Sequence, residues 1–107
     1  MVKCNERQLN RTFAALADPT RRGILEHLTQ GDRCVTDLAR PYAMSLPAVS
    51  KHLRVLENAG IVHSEKSGRE SRFAFDPAPI DDLRKYLDRV SEQWDQALAR
   101  LQSFVEG

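Results

Sequence analysis

The residues best equipped for chemistry fall in one stretch, 45–58, Ser-Leu-Pro-Ala-Val-Ser-Lys-His-Leu-Arg-Val-Leu-Glu-Asn. Ser50, Lys51, His52 and Arg54 supply a short hydroxyl, two long cations and a bifunctional imidazole. Such a set donates to phosphate oxygens and reaches base edges in the major groove of a duplex. Val49, Leu53 and Leu56 recur at helical spacing and form an apolar stripe that must bury. The stretch therefore predicts a helix with one face in a core and a polar face outside. Ser45 caps it, and Pro47 fits its first turn, where no amide hydrogen is needed. A rigid helix that starts sharply suits docking by its N-terminal end.

The other reactive side chains form no comparable group. No Ser-His-Asp arrangement, glycine-rich phosphate cradle or pair of carboxylates has a supporting context, so the sequence points away from catalysis and calls for no cofactor. His27 and His63 read as surface or packing residues, and Asp81-Asp82 as the acidic start of a helix. Cys4 and Cys34 are too few for a disulfide framework. They are the candidates for a redox pair, across a dimer if one forms. In the competing reading Cys34 is a small buried filler and Cys4 lies in a loose N-terminus.

The elements that must hold the 45–58 helix can be read on both sides of it. A first helix is expected over 6–17, with Leu9, Phe13 and Leu16 on one face. Asp18 as N-cap and Pro19 at the first helical position open a second, over 19–30, with Ile24, Leu25 and Leu28 inward and Gly31 as its stop. Thr36 is expected to cap a short third helix, 36–42. Ala43-Met44 is then a tight connection without the glycine usual in such turns. Two strands over 61–75, joined by Ser67-Gly68-Arg69-Glu70, make a hairpin with Lys66, Arg69 and Arg72 at or near its tip. Beside a DNA-reading helix such a hairpin is a wing. Asp76-Pro77-Ala78-Pro79 breaks the chain, and a last helix runs over 80–105.

On that last helix Ile80, Leu83, Leu87, Val90, Trp94, Leu98, Leu101 and Val105 follow at steps of three or four. At about 1.5 Å per residue it is close to 40 Å long, more than the preceding residues can readily cover. A second copy is the simplest cover, with Leu9 and Phe13 joining the same surface. The expected fold is mainly α with a β-hairpin: a winged helix-turn-helix domain, 1–107, with a long terminal dimerisation helix.

Charge supports this arrangement. The net charge is only +1, yet residues 1–75 carry 12 Lys and Arg against 8 Asp and Glu, and 76–107 carry 4 against 7. The basic part holds the polar helix, and the acidic part would sit away from a polyanion. No apolar run approaches the roughly 20 residues that span a bilayer, and the first residues have no signal-peptide core. No membrane partner and a cytoplasmic location are therefore expected.

The local text resembles the ArsR-type winged-helix repressors. Phe13-Ala14-Ala15-Leu16-Ala17-Asp18-Pro19-Thr20-Arg21-Arg22 is similar to that family's opening, and Val35-Thr36-Asp37-Leu38-Ala39 to its first helix-turn-helix element. Residues 47–62 resemble its recognition helix and wing entry, and 68–75 its wing. The resemblance implies a homodimeric repressor whose paired recognition helices read an inverted repeat in double-stranded DNA. It implies that Leu46, Ala48, Ser50, Lys51 and His52 read bases, with Ser45 at the edge of that surface. Arg54, Lys66, Arg69 and Arg72 would hold phosphates. Leu9, Phe13, Leu83, Leu87, Val90, Trp94, Leu98 and Leu101 would form the dimer interface. The chain departs from the metal-sensing members, which carry two cysteines around the Val-x-Asp-Leu segment; here Cys34 stands alone, and 80–105 contains no histidine, so no metal site is expected. Two other classes stay open: a winged helix that binds only protein, and an effector-gated sensor on the same scaffold.

Overall fold

The computed structural model describes residues 2–106, with side chains described for 6–66 and 68–106. The order is α1 (Val2–Leu16), α2 (Pro19–Leu28), β1 (Arg33–Cys34), α3 (Val35–Ala39), α4 (Leu46–Asn58), β2 (Val62–Ser67), β3 (Glu70–Phe75) and α5 (Ala78–Glu106). The three strands form one antiparallel sheet in the order β1-β3-β2. β1 was not foreseen: two residues are too few to show a period of two, and only the pairing of Arg33 with Phe73 and Cys34 with Arg72 makes them a strand.

Local signals set most of the boundaries. Asp18 Oδ2 accepts from the Arg21 amide at 3.0 Å, and Ser45 Oγ from the Ala48 amide at 3.3 Å, so α2 and α4 start where their caps stand. Helix α4 ends in a Schellman motif, with the Ile61 amide on the Leu56 carbonyl and the Gly60 amide on the Glu57 carbonyl. Gly60 takes φ +75° there, where a side chain would be strained. At the hairpin Gly68 has φ +66° and Arg69 does not, the demand of a turn that places glycine at its first central position. Asp76 Oδ1 accepts from the Ala78 amide at 2.9 Å and starts α5 two residues earlier than the sequence pattern suggests.

The cap of α3 differs from expectation. Cys34, not Thr36, occupies the N-cap position and makes no side-chain cap bond; Thr36 Oγ1 instead lies 3.0 Å from Cys34 Sγ. Among the described residues no non-glycine has positive φ, so the α3–α4 connection turns without a left-handed residue and needs no glycine.

The core lies where α2, α3 and α4 meet the sheet. Ile24, Leu25, Leu28, Leu38, Val49, Leu53, Leu56, Ile61, Val62 and Phe73 are buried in it. Only the start of α5 joins this body, through Ile80. The molecule measures 67 × 33 × 21 Å, because 29 residues of α5 at about 1.5 Å each outrun the core.

Burial predicts a contrast within α4. Leu53→Ala should cost about 2–5 kcal/mol through lost burial and a cavity. Val55→Ala, on the exposed side of the same helix, should stay within about 0.5 kcal/mol. Urea unfolding of the two variants measures both.

Candidate nucleic-acid interface

The inward face of α4 is closed: Val49, Leu53 and Leu56 are 0%, 1% and 0% exposed. At 3.6 residues per turn, that fixes what faces outward. Ser45, Leu46, Lys51 and Arg54 are exposed, and Ala48, Ser50 and His52 are half-buried. Each expected base reader, Leu46 included, lies on α4 or at its cap, with one apolar neighbour, Met44, that the sequence reading did not include. Leu46 is 45% exposed on the first turn, and Met44, in the preceding connection, is 38% exposed. Apolar side chains at a helix N-terminus suit contact with a thymine methyl.

His52 is more constrained than its place on a polar face implied. Its Nδ1 lies 3.3 Å from Arg21 Nη1 and 3.8 Å from Asp18 Oδ2. Arg21 is anchored in turn on the end of α1, donating from Nε to the Ala15 carbonyl at 2.7 Å and from Nη2 to the Ala14 carbonyl at 3.0 Å. These carbonyls belong to the last turn of α1, which lacks intrahelical donors and favours a cation. The Arg21 amide foremost, with the Arg21 guanidinium beside it, holds the Asp18 carboxyl below its ordinary value against partial desolvation. Sequence reading did not single out Arg21, which was visible only within the Phe13–Arg22 segment and by its place three residues after the Asp18 cap.

The wing is built by β2 and β3, with Lys66 opposite Ser71 and Glu65 opposite Arg72. Lys66 and Arg69 are exposed near the tip. Arg72 is exposed but not at the tip: it pairs with Cys34 of β1, and its Nη2 donates to the Asp32 carbonyl at 3.2 Å. The correction follows from β1, which makes β3 the central strand. Glu65 and Glu70 interleave with the three cations, so the hairpin is mixed in sign. Ser64 Oγ donates to Glu57 Oε2 at 2.8 Å and ties the base of the wing to α4. His63 and Asp76 lie 2.6 Å apart across the same base.

On the opposite side, α1 and α5 share a face. Phe13 meets Tyr86 edge-on at 6.0 Å, a pairing the step-of-three-or-four stripe did not include. Leu9 and Val90 are half-buried, Phe13 is 41% exposed and Leu87 45%. Trp94, Leu98, Leu101 and Phe104 are 65%, 57%, 58% and 83% exposed. Leu83 corrects the expected interface: it is 7% exposed, packed within its own chain, and has little surface left for a partner.

Cys34 is buried, its Sγ donating to Asp37 Oδ2 at 3.3 Å. The Cys4 side chain, and with it the expected Cys4–Cys34 pair, lies outside the described residues. Among the described residues no three His, Cys, Asp or Glu side chains group as metal ligands, and no helix is long and apolar enough to cross a membrane.

Residues 18–64 match the family described as bacterial regulatory protein, arsR family. The chain is 39% identical to the HTH-type transcriptional regulator Rv2034 of Mycobacterium tuberculosis, over 94% of this chain and 91% of that one. The chain belongs to the ArsR family. It is also 32% identical to the transcriptional repressor SdpR of Bacillus subtilis, over 84% of this chain and all of that one. The crystal structure of an ArsR family transcriptional regulator superposes with a TM-score of 0.80 at 39% identity, covering 84% of this chain and 93% of that one. The homodimeric winged helix-turn-helix DNA-binding domain of Mb0332 from Mycobacterium bovis, determined by NMR, does so with a TM-score of 0.63 at 28% identity, covering 88% and 84%. The fold is thus the winged helix-turn-helix of ArsR-type transcriptional regulators, with α3 and α4 as its helix-turn-helix and β2–β3 as its wing.

Within this ArsR-family frame two carboxylates predict an acid dependence. The Ala78 amide, then His63, hold the Asp76 carboxyl below its ordinary value, as the Arg21 amide does for Asp18. A lowered folded pKa contributes stability above the ordinary carboxylate range, and that contribution is lost as pH falls through the folded value. Asp76→Asn and Asp18→Asn should each make the decline in urea midpoint between about pH 5 and pH 2 shallower than in the parent protein.

Proposed function

We propose that this ArsR-family chain is a homodimeric repressor that binds an inverted-repeat operator in duplex DNA through α4 and the wing. The observation that carries this reading is the division of α4. Its apolar stripe is wholly buried, while Ser45, Leu46, Lys51 and Arg54 stand outside beside a hairpin bearing Lys66 and Arg69. Leu46, Ala48, Ser50, Lys51 and His52 read base edges; Arg54, Lys66, Arg69 and Arg72 hold phosphates. Repression is the activity named for the relative SdpR, and it needs only occupancy of a promoter.

The homodimer rests on the uncovered half of α5, together with Leu9 and Phe13 of α1. Five large apolar side chains, Trp94, Leu98, Leu101, Phe104 and Val105, are more than half exposed on one helix. Apolar surface of that extent is rarely left in water by a stable monomer. A two-fold pairing along α5 covers it and presents two α4 helices to successive major grooves, about 34 Å apart. The chain acts as one winged helix-turn-helix unit over 1–107, in the cytoplasm where its duplex lies, and by occupancy rather than catalysis.

Selection of bound duplexes from a random pool should return a two-fold-symmetric consensus. A protein that binds no duplex at low ionic strength would overturn the reading. Lys51→Ala should weaken operator binding by roughly 1–3 kcal/mol. Arg69→Ala should weaken it evenly across sequences and reduce the slope of log affinity against log salt by about 1. Gel shifts over a salt series measure both.

The interface carries a separate expectation. Leu98→Glu should convert the dimer to monomer in sedimentation at micromolar concentration, because an unpaired carboxylate in an apolar seam is costly to desolvate. The same variant should lose operator affinity while keeping its helix content by circular dichroism.

A further inference from the structure

We infer that Arg21 is a positioning residue that fixes His52 in one tautomer, so that His52 offers a single N–H donor to a hydrogen-bond acceptor on a base edge in the major groove. This rests on the operator-binding reading above and assigns a specificity role within that same surface.

A guanidinium has only donors. With Arg21 Nη1 3.3 Å from His52 Nδ1, the bond forms only if Nδ1 is bare and accepts, which leaves the proton of the neutral ring on Nε2. The guanidinium is not free to turn away, since Nε and Nη2 are engaged by the Ala15 and Ala14 carbonyls at 2.7 and 3.0 Å. Asp18 Oδ2, at 3.8 Å from Nδ1, is too far to compete for it as a hydrogen-bond partner.

The other end of the ring is open. His52 Nε2 has no hydrogen-bond partner among the described residues, and none of their buried side-chain nitrogens or oxygens lacks one, so Nε2 reaches solvent. The side chain is only 20% exposed, and Nε2 belongs to that small accessible part. A donor on a ring held by its other nitrogen suits reading, where location matters. Phosphates are better served by the long cation Arg54 on the same helix. In the major groove the acceptors are purine N7, guanine O6 and thymine O4, so the ligand class is a base pair presenting one of these.

The test uses the full-length protein and the selected operator, with each major-groove acceptor removed in turn: deazapurines for N7, aminopurine for guanine O6 and the pyrimidinone analogue for thymine O4. Removal at one position per half-site should weaken the parent protein about three- to tenfold, and should not weaken His52→Ala further. Arg21→Lys, whose single ammonium cannot span two carbonyls and Nδ1, should bring that penalty close to one. Binding of duplex with no acceptor position coupled to His52 overturns this inference alone; failure to bind any duplex overturns the operator reading with it. An undiminished penalty in Arg21→Lys overturns the role of Arg21. If Arg21→Lys does not fold, nitrogen-detected spectra of the parent protein at mildly alkaline pH decide: the His52 Nδ1 resonance should be that of an unprotonated, hydrogen-bonded nitrogen, and a protonated Nδ1 in the neutral ring overturns the inference.

Discussion

Burial of Val49, Leu53 and Leu56 beneath α4 is the constraint on which the rest of this structure depends. Fully burying side chains of this kind contributes about 1.5–3 kcal/mol each. A domain of this size has a total stability of roughly 5–15 kcal/mol. Rotating α4 enough to expose the stripe would therefore remove much of what keeps the chain folded. The rotation of the helix about its axis, and with it the set of side chains offered to a duplex, is decided by the core.

The helix is also held at both ends. Ser45 caps its start, and at the other end Gln8 Nε2 donates to the Ala59 carbonyl at 2.7 Å beside the Schellman turn. Between them Arg21 reaches from the last turn of α1 to His52. Helix α1 is thus tied to α4 twice, through Gln8 at the C-cap and through Arg21 of α2, and it shares a face with α5 through Phe13 and Tyr86. The surfaces proposed to read DNA and to self-associate are joined by one helix, so in the proposed dimer the angle between the two α4 helices would be set by packing rather than by a linker. The chain carries a net charge of only +1 and a wing of mixed sign. In the proposed reading, attraction to a polyanion comes from the placement of Lys51, Arg54, Lys66, Arg69 and Arg72, and not from bulk charge.

Much of this was legible in the sequence, and the reasons are local. The Asp18-Pro19 and Ser45/Pro47 signals mark helix starts because cap bonds span three residues and need nothing distant. The periodicity of Val49, Leu53 and Leu56 identified the buried face because an α-helix repeats every 3.6 residues whatever it packs against. The α5 stripe was equally plain, and its uncovered half followed from length alone. Thr36 failed as a cap because β1 takes Arg33 and Cys34 into the sheet and starts α3 one residue earlier.

What the amino-acid order determined by itself was the succession of elements, the inward side of each helix and the polar inventory of α4, all consequences of interactions within a turn or two of chain. Only the tertiary structure decided that Arg72 belongs over β1 rather than at the wing tip, that Leu83 is closed inside its own chain, and that Arg21 and His52 meet. Arg21 and His52 stand 31 residues apart in sequence. No local period or spacing encodes such a contact, which exists only because the core brings α1, α2 and α4 to one place.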